Sequence, residues 1–225
     1  MADQTEHKSD EYGDELGFER LVFFSDAVMA IAITLMALEI HLPELEPNAT
    51  TDQVNAAFQT IIPHIGVYAL SFVVIGIYWV VHHRLFRIIR RYDLTLIWLN
   101  LIFLMLIAFL PVATNALGSY SNTVLITDFY SASIALIGFS EFALWFYALR
   151  KNYMPPLAHP RGSLYFGLRV LTPPAVFLLS ILIAAFNVNL AQISWVLIVP
   201  VSIVLRLIFR AEDAERDPYS QGERK

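Results

Sequence analysis

Arg20-Leu-Val-Phe-Phe-Ser-Asp-Ala-Val-Met-Ala-Ile-Ala-Ile-Thr-Leu-Met-Ala-Leu-Glu39 is long and apolar enough to cross a bilayer as one helix, yet it carries Arg20, Ser25, Asp26 and Thr34 along its length. A charge inside a membrane span costs roughly 2.5–3.5 kcal/mol on insertion scales, so such residues normally face a partner or a water-filled path. The segment therefore does more than anchor the chain.

Working outward, the 225 residues are 57% hydrophobic and have a mean hydropathy of +0.57. Soluble domains of this length are about 45–50% apolar, and here the excess falls in blocks. Six blocks of about 20 residues, the length a helix needs to cross a hydrocarbon core, lie near Leu21–Ile40, Ile61–Val81, Leu94–Leu117, Phe129–Leu149, Phe166–Phe186 and Ala191–Phe209. Pro63 is expected to open the second block and Gly118 to follow the third; Pro111, Pro173 and Pro200 read as kinks, which membrane helices tolerate. No period-two alternation runs through the blocks, which argues against a β-barrel. The expected fold is an all-α integral membrane protein with six transmembrane helices. Residues 1–17 read as a disordered acidic tail, 18–210 as the six-helix membrane domain and 211–225 as a charged tail. The first 17 residues lack the apolar core and cleavage site of a signal peptide.

Basic residues orient the spans. Arg84, Arg87, Arg90 and Arg91 lie between the second and third blocks, Arg150, Lys151 and Arg161 between the fourth and fifth, and Arg206 and Arg210 close the sixth. The segments 42–60, 118–128 and 187–190 contain no Lys or Arg. The positive-inside rule then places both termini in the cytoplasm. The chain has no cysteine, which excludes disulfides, thiolate metal sites and cysteine nucleophiles. No P-loop, His-Glu-x-x-His or Gly-x-Ser-x-Gly occurs, so ATP hydrolysis and familiar hydrolase chemistry have no support. No enzymatic activity, resident metal, cofactor or nucleic-acid partner is expected.

At 100° per residue, Arg20, Phe24, Ala27, Ile31, Leu35 and Leu38 form one stripe of the first helix, with Thr34 at its margin. An aliphatic stripe is by default a packing face. Alternatively, rings of such side chains from several subunits form a narrow pore that gates by dewetting, with Thr34 adding a ring of hydroxyls. Asp26 lies about 140° from Ile31 and turns away from the stripe toward other helices, where it needs a donor. The candidates are Ser25, Trp79, His82, His83, Arg84 and Asn100. A proton relay through Asp26, His82 and His83 is a competing use of the same groups. His82 and His83 point about 100° apart on a helix and cannot share one metal ion. The basic run Arg84–Arg91 serves as a topology determinant and also suits anionic headgroups.

The Arg20-x-x-x-Phe24-Ser25-Asp26 motif resembles the hallmark of the transmembrane protein 175 family, the endolysosomal cation channel and its bacterial relatives. Tyr78-Trp79-Val-Val-His82-His83-Arg84-Leu85-Phe86 and Asn100-Leu-Ile-Phe-Leu-Met-Leu-Ile-Ala-Phe-Leu-Pro111 are similar to the family's second and third helices. The resemblance implies a potassium-permeable channel whose first helix, and no reentrant filter loop, lines the pore. It puts the main constriction at Ile31, with Leu35 and Leu38 outward of it, and a selectivity layer at Thr34. Arg20, Ser25, Asp26, Trp79, His82, His83 and Asn100 then form a structural network behind the pore helix. A second Phe-Ser-Asp is lacking, so the chain resembles the single-repeat bacterial kind, a homotetramer in the cell's inner membrane among lipid. Potassium is the permeant ion. Nothing like Thr-Val-Gly-Tyr-Gly is present, so selection by a ring of backbone carbonyls is not available, and a moderate preference over sodium is expected. The alternative is a proton-coupled transporter or proton-permeable channel using Asp26, His82 and His83.

Overall fold

A computed structural model describes the backbone of residues 2–41, 43–154 and 160–216, and the side chains of 16–41, 43–154, 162 and 164–209. The described chain is all helical: α1 (Ala2–Leu38), α2 (Thr51–Ile88), α3 (Leu94–Tyr120), α4 (Val124–Arg150), α5 (Pro160–Ala184), α6 (Val188–Ser194) and α7 (Ile198–Arg216). A 3₁₀ turn at Trp195–Leu197 joins α6 to α7. Among the described residues six segments are long and apolar enough to cross a membrane, the first being Leu16–Leu38 and the last Val188–Phe209, which takes in α6, the turn and most of α7. The side chains of the two expected tails lie largely outside the described residues.

Several boundaries differ from the hydropathy reading, each for a local reason. Helix α2 begins ten residues before the apolar block. Thr50 and Gln53 form a capping box there, in which Gln53 N–H donates to Thr50 Oγ1 and Thr50 N–H donates to Gln53 Oε1, satisfying two otherwise orphaned donors. Pro63 consequently sits inside the helix and does not open it. At 38 residues and 1.5 Å per residue, α2 is about 57 Å long and overshoots a hydrocarbon core. Helix α3 runs past Gly118 to Tyr120. That glycine makes room for the His64 ring, since a Cβ there would meet His64 Cδ2 at 2.9 Å.

The bundle core is built where α3 and α4 pack together, with α1 and α2 against α3 and α5 against α4. Tyr78, Phe103, Tyr130 and Phe177 are among its largest fully buried side chains. Gly138 lets α4 approach its neighbours closely: a Cβ there would lie 2.6 Å from Pro174 Cδ and 2.8 Å from Tyr78 Oη. Buried hydroxyls bind the helices to one another without needing water. Thr114 Oγ1 on α3 donates to Ser71 Oγ on α2 at 2.9 Å, Ser71 pairs with Tyr130 Oη on α4 at 2.9 Å, and Ser131 pairs with Ser180 on α5 at 2.9 Å.

Candidate pore helix and its polar support

Helix α1 has two faces. Ser25, Met29, Ala32 and Met36 are buried at i, i+4, i+7 and i+11, the spacing of one helical stripe. Every member of the opposite stripe is exposed: Arg20, Phe24, Ala27, Ile31, Leu35 and Leu38, together with Thr34. The aliphatic stripe is thus no packing face within the subunit; Ile31 is 57% exposed and Leu38 72%. Thr34 Oγ1 donates to its own helix, to Ile31 O at 2.9 Å and Ala30 O at 3.1 Å. With its hydrogen so engaged, the hydroxyl presents oxygen lone pairs outward.

The polar residues of the expected network separate into three pairs, each linking a different two helices. Asp26 Oδ1, at the flank of α1, accepts from Trp79 Nε1 on α2 at 2.8 Å, and the Trp79 indole stacks on His83 at 5.3 Å. Ser25 Oγ donates to Leu21 O at 2.9 Å and accepts from Asn100 Nδ2 on α3 at 2.9 Å. His82 Nδ1 pairs with Glu141 Oε2 on α4 at 3.2 Å, and its ring stacks on Phe103 at 4.9 Å. Asp26 and His82, grouped together by sequence, therefore take different partners. Arg20 makes no ion pair with any described residue and lies exposed at the start of the span.

Glu141 is the functional-looking group that sequence reading passed over. It is fully buried midway along α4, and its signal was the presence of a lone acid inside the apolar block Phe129–Leu149, where a charge is costly. At the far end of the bundle Glu39 accepts from Asn115 Nδ2, and the His41 ring Nδ1 lies 2.9 Å from Glu39 O. Glu39 and His41, just beyond the end of α1, are exposed rim groups. Among the described residues no group of three or more His, Cys, Asp or Glu side chains is arranged to hold a metal ion.

The end of the bundle where α2 stops is basic and tightly tied. Asp93 caps α3 by accepting from Leu96 N–H at 2.9 Å, and accepts from Tyr147 Oη at 2.6 Å. Arg90 N–H donates to Tyr153 O at 2.7 Å, and Asn152 makes the turn after α4 with φ 56°, a left-handed conformation that Asn adopts readily. Gly17 lies so close to Tyr92 that a Cβ would clash with its hydroxyl, and Phe18 packs between Phe86 at 5.8 Å and Tyr92 at 5.5 Å.

Residues 20–111, which run from the start of the membrane-crossing part of α1 into α3, match the sequence profile of the family described as "Endosomal/lysosomal potassium channel TMEM175". A Streptomyces collinus protein named as a potassium channel is 34% identical over 60% of this chain and 66% of its own length. A Danio rerio protein named "Endosomal/lysosomal proton channel TMEM175" is 30% identical over 60% of this chain and 26% of its own. The chain thus spans less than two thirds of the length of these relatives. The crystal structure of a lysosomal potassium-selective channel TMEM175 homolog from Chamaesiphon minutus superposes with a TM-score of 0.71 at 25% identity, covering 85% of this chain and 97% of that one.

Proposed function

Because this chain belongs to the TMEM175 family, we propose that it is a potassium channel whose subunits assemble around α1, with Ile31, Leu35 and Leu38 as the hydrophobic constriction and Thr34 as the selectivity layer. The observation that carries this reading is the exposure of the whole stripe from Phe24 to Leu38 on α1, opposite a face buried against α2 and α3. Asp26 supports it from behind. Held by Trp79, its carboxylate fixes the rotation of the helix and stays off the stripe.

In this reading the six spans cross a cell membrane with both termini and the Arg84–Arg91 run on the cytoplasmic side, and four copies surround the pore. The described connection Ser121–Thr123 between α3 and α4 is too short for a reentrant filter loop, which favours selection by side chains. Thr34 suits the task, because its lone pairs point outward while its hydrogen is spent on the helix. The protein acts as a conduit and not as an enzyme, with potassium as permeant ion and no resident cofactor. A proton-coupled transporter working through Asp26, His82 and His83 has weaker support, since Asp26 and His82 have separate partners.

Reversal potentials of the purified protein in a planar bilayer test the proposal. Under opposed potassium and sodium gradients the current reverses near the potassium potential, and Thr34→Ala moves the reversal toward the midpoint while conduction persists. Saturating, proton-dependent exchange without such a current refutes the channel; an unmoved reversal potential removes Thr34 from the selectivity layer.

A further inference from the structure

At the basic end a cavity of about 880 Å³ opens between the start of the α1 span, the end of α2 and the connection to α3. Its polar wall holds Arg87, Arg90 and Arg91 against one carboxylate, Glu19, beside the His83 ring. None of the three arginines forms an ion pair with a described residue, and all three are exposed. Its other wall is apolar: Phe18, Val22, Phe23 and Phe86. Phe23 is 69% exposed and continues the cavity outward along the side of α1.

From this pairing of a guanidinium wall with an apolar wall, we infer that the cavity binds an anionic phospholipid, the phosphate held by Arg87, Arg90 and Arg91 and the acyl chain lying along Val22 and Phe23. Arginine suits a phosphate because its planar fork donates two parallel hydrogen bonds. Three cations against one carboxylate leave a net positive site, and a zwitterionic headgroup does not neutralise it. The depth is right for a headgroup. Trp98, 60% exposed, lies five residues beyond Asp93, about 7.5 Å further along the helix, and exposed Trp residues settle at the membrane interface. A free phosphate satisfies the arginines but gains nothing from the apolar wall. The wall is also rigid, because Arg90 is tied to Tyr153 through the backbone and Phe18 is stacked against Phe86. The bound lipid therefore contacts the base of α1, on whose exposed stripe the proposed pore depends.

The inference rests on the membrane placement of the spans and not on conduction, so the test reads lipid and not current. Purified full-length protein is equilibrated in detergent micelles holding equal amounts of phosphatidylglycerol and phosphatidylcholine, washed, and its retained lipid quantified. Phosphatidylglycerol is retained in excess, by about fivefold for each arginine engaged. The triple variant Arg87→Gln, Arg90→Gln, Arg91→Gln returns the ratio to that of the mixture. Arg150→Gln with Lys151→Gln, basic residues at the same end but outside the cavity, keeps the excess. Arg87→Gln alone, checked for unchanged helicity and oligomer size, loses part of it and guards against a folding artefact in the triple variant. The inference is overturned if the arginine variants retain as much as the parent, or if the Arg150 and Lys151 pair loses as much as they do. Displacement of the retained lipid by glycerol 3-phosphate at equal concentration overturns the lipid assignment in favour of a soluble phosphate.

Discussion

Trp79 Nε1 donates to Asp26 Oδ1 at 2.8 Å across the contact between α2 and α1. This bond joins the most conspicuous charge of the first span to the flank of a neighbouring helix and leaves the stripe beside it aliphatic from Ala27 to Leu38, with Thr34 at its margin. One side chain thereby sets the rotation of α1, and rotation decides which residues face away from the subunit.

Removing either partner should loosen α1 by about 1.5–3 kcal/mol, the contribution of a hydrogen bond to a charged group. Trp79→Phe keeps the ring over His83 but deletes the donor. Asp26→Asn retains an oxygen acceptor for the indole, whereas Asp26→Ala does not, so the expected order of thermal stability in detergent is parent, Asn, Ala. An Asp26→Ala protein as stable as the parent would show that the bond does not hold the helix.

Ile31 is the residue whose polarity should matter most for flux. Its side chain is exposed in the isolated subunit and stands between Ala27 and Leu35 on the stripe. A constriction of aliphatic groups blocks ions by excluding water, so Ile31→Asn should wet it and raise the leak conductance severalfold, while Met29→Leu on the buried face should change stability more than current. Single-channel or flux recordings of the two variants separate the faces directly.

The Asp93 carboxyl predicts an acid-sensitive seam at the basic end. Burial works against its charge, but hydrogen bonds from the Tyr147 hydroxyl, the Leu96 amide and the Tyr153 hydroxyl, with the Lys151 charge nearby, outweigh it and hold the carboxyl below its ordinary range. A carboxyl lowered in the folded state contributes stability that is fully present above its unfolded value of about 3.9 and is lost as pH falls through the folded value. Melting temperature should therefore fall as pH drops below about 4, the unfolded value, and go on falling until the lowered folded value is passed, and Asp93→Asn should flatten that part of the curve while lowering the plateau at neutral pH.

How much of this could be read beforehand depends on whether a feature is set by one segment or by several. Six apolar blocks declare six spans, because lipid demands length and hydropathy of each helix separately. The division of α1 into faces was readable too, since a 3.6-residue period sets Asp26 off the Ile31 stripe without reference to any neighbour, but that the stripe points away from its own subunit was not, because an aliphatic stripe is by default a packing face. The early start of α2 was written in Thr50 and Gln53, a capping box that hydropathy does not weigh. The pairing of polar groups was not readable. His82 and His83 differ by one step around α2, and only the packing of α3 and α4 turns His82 inward to Glu141 and leaves His83 beside Trp79.

That inward pair offers a way to learn its own charge state. Glu141 and His82 are both buried, and Glu141 Oε1 and His82 Nε2 have no further hydrogen-bond partner. Glu141→Leu strands the imidazole and His82→Leu strands the carboxyl, so each single variant leaves a buried polar group uncompensated. The loss is about 1–3 kcal/mol for a neutral group and about 3–5 kcal/mol for a charged one. Replacing both removes the stranded group, and buried pairs exchanged for apolar residues are often neutral in stability. The double variant should thus be more stable than either single one, and the coupling energy from the double-mutant cycle, which is then about the sum of the two single losses, reports the form: about 2–6 kcal/mol for a neutral hydrogen bond and above about 6 kcal/mol for an ionised pair. Additive losses in the double variant would mean that His82 and Glu141 act independently, and that Phe103 stacking alone holds the ring in place.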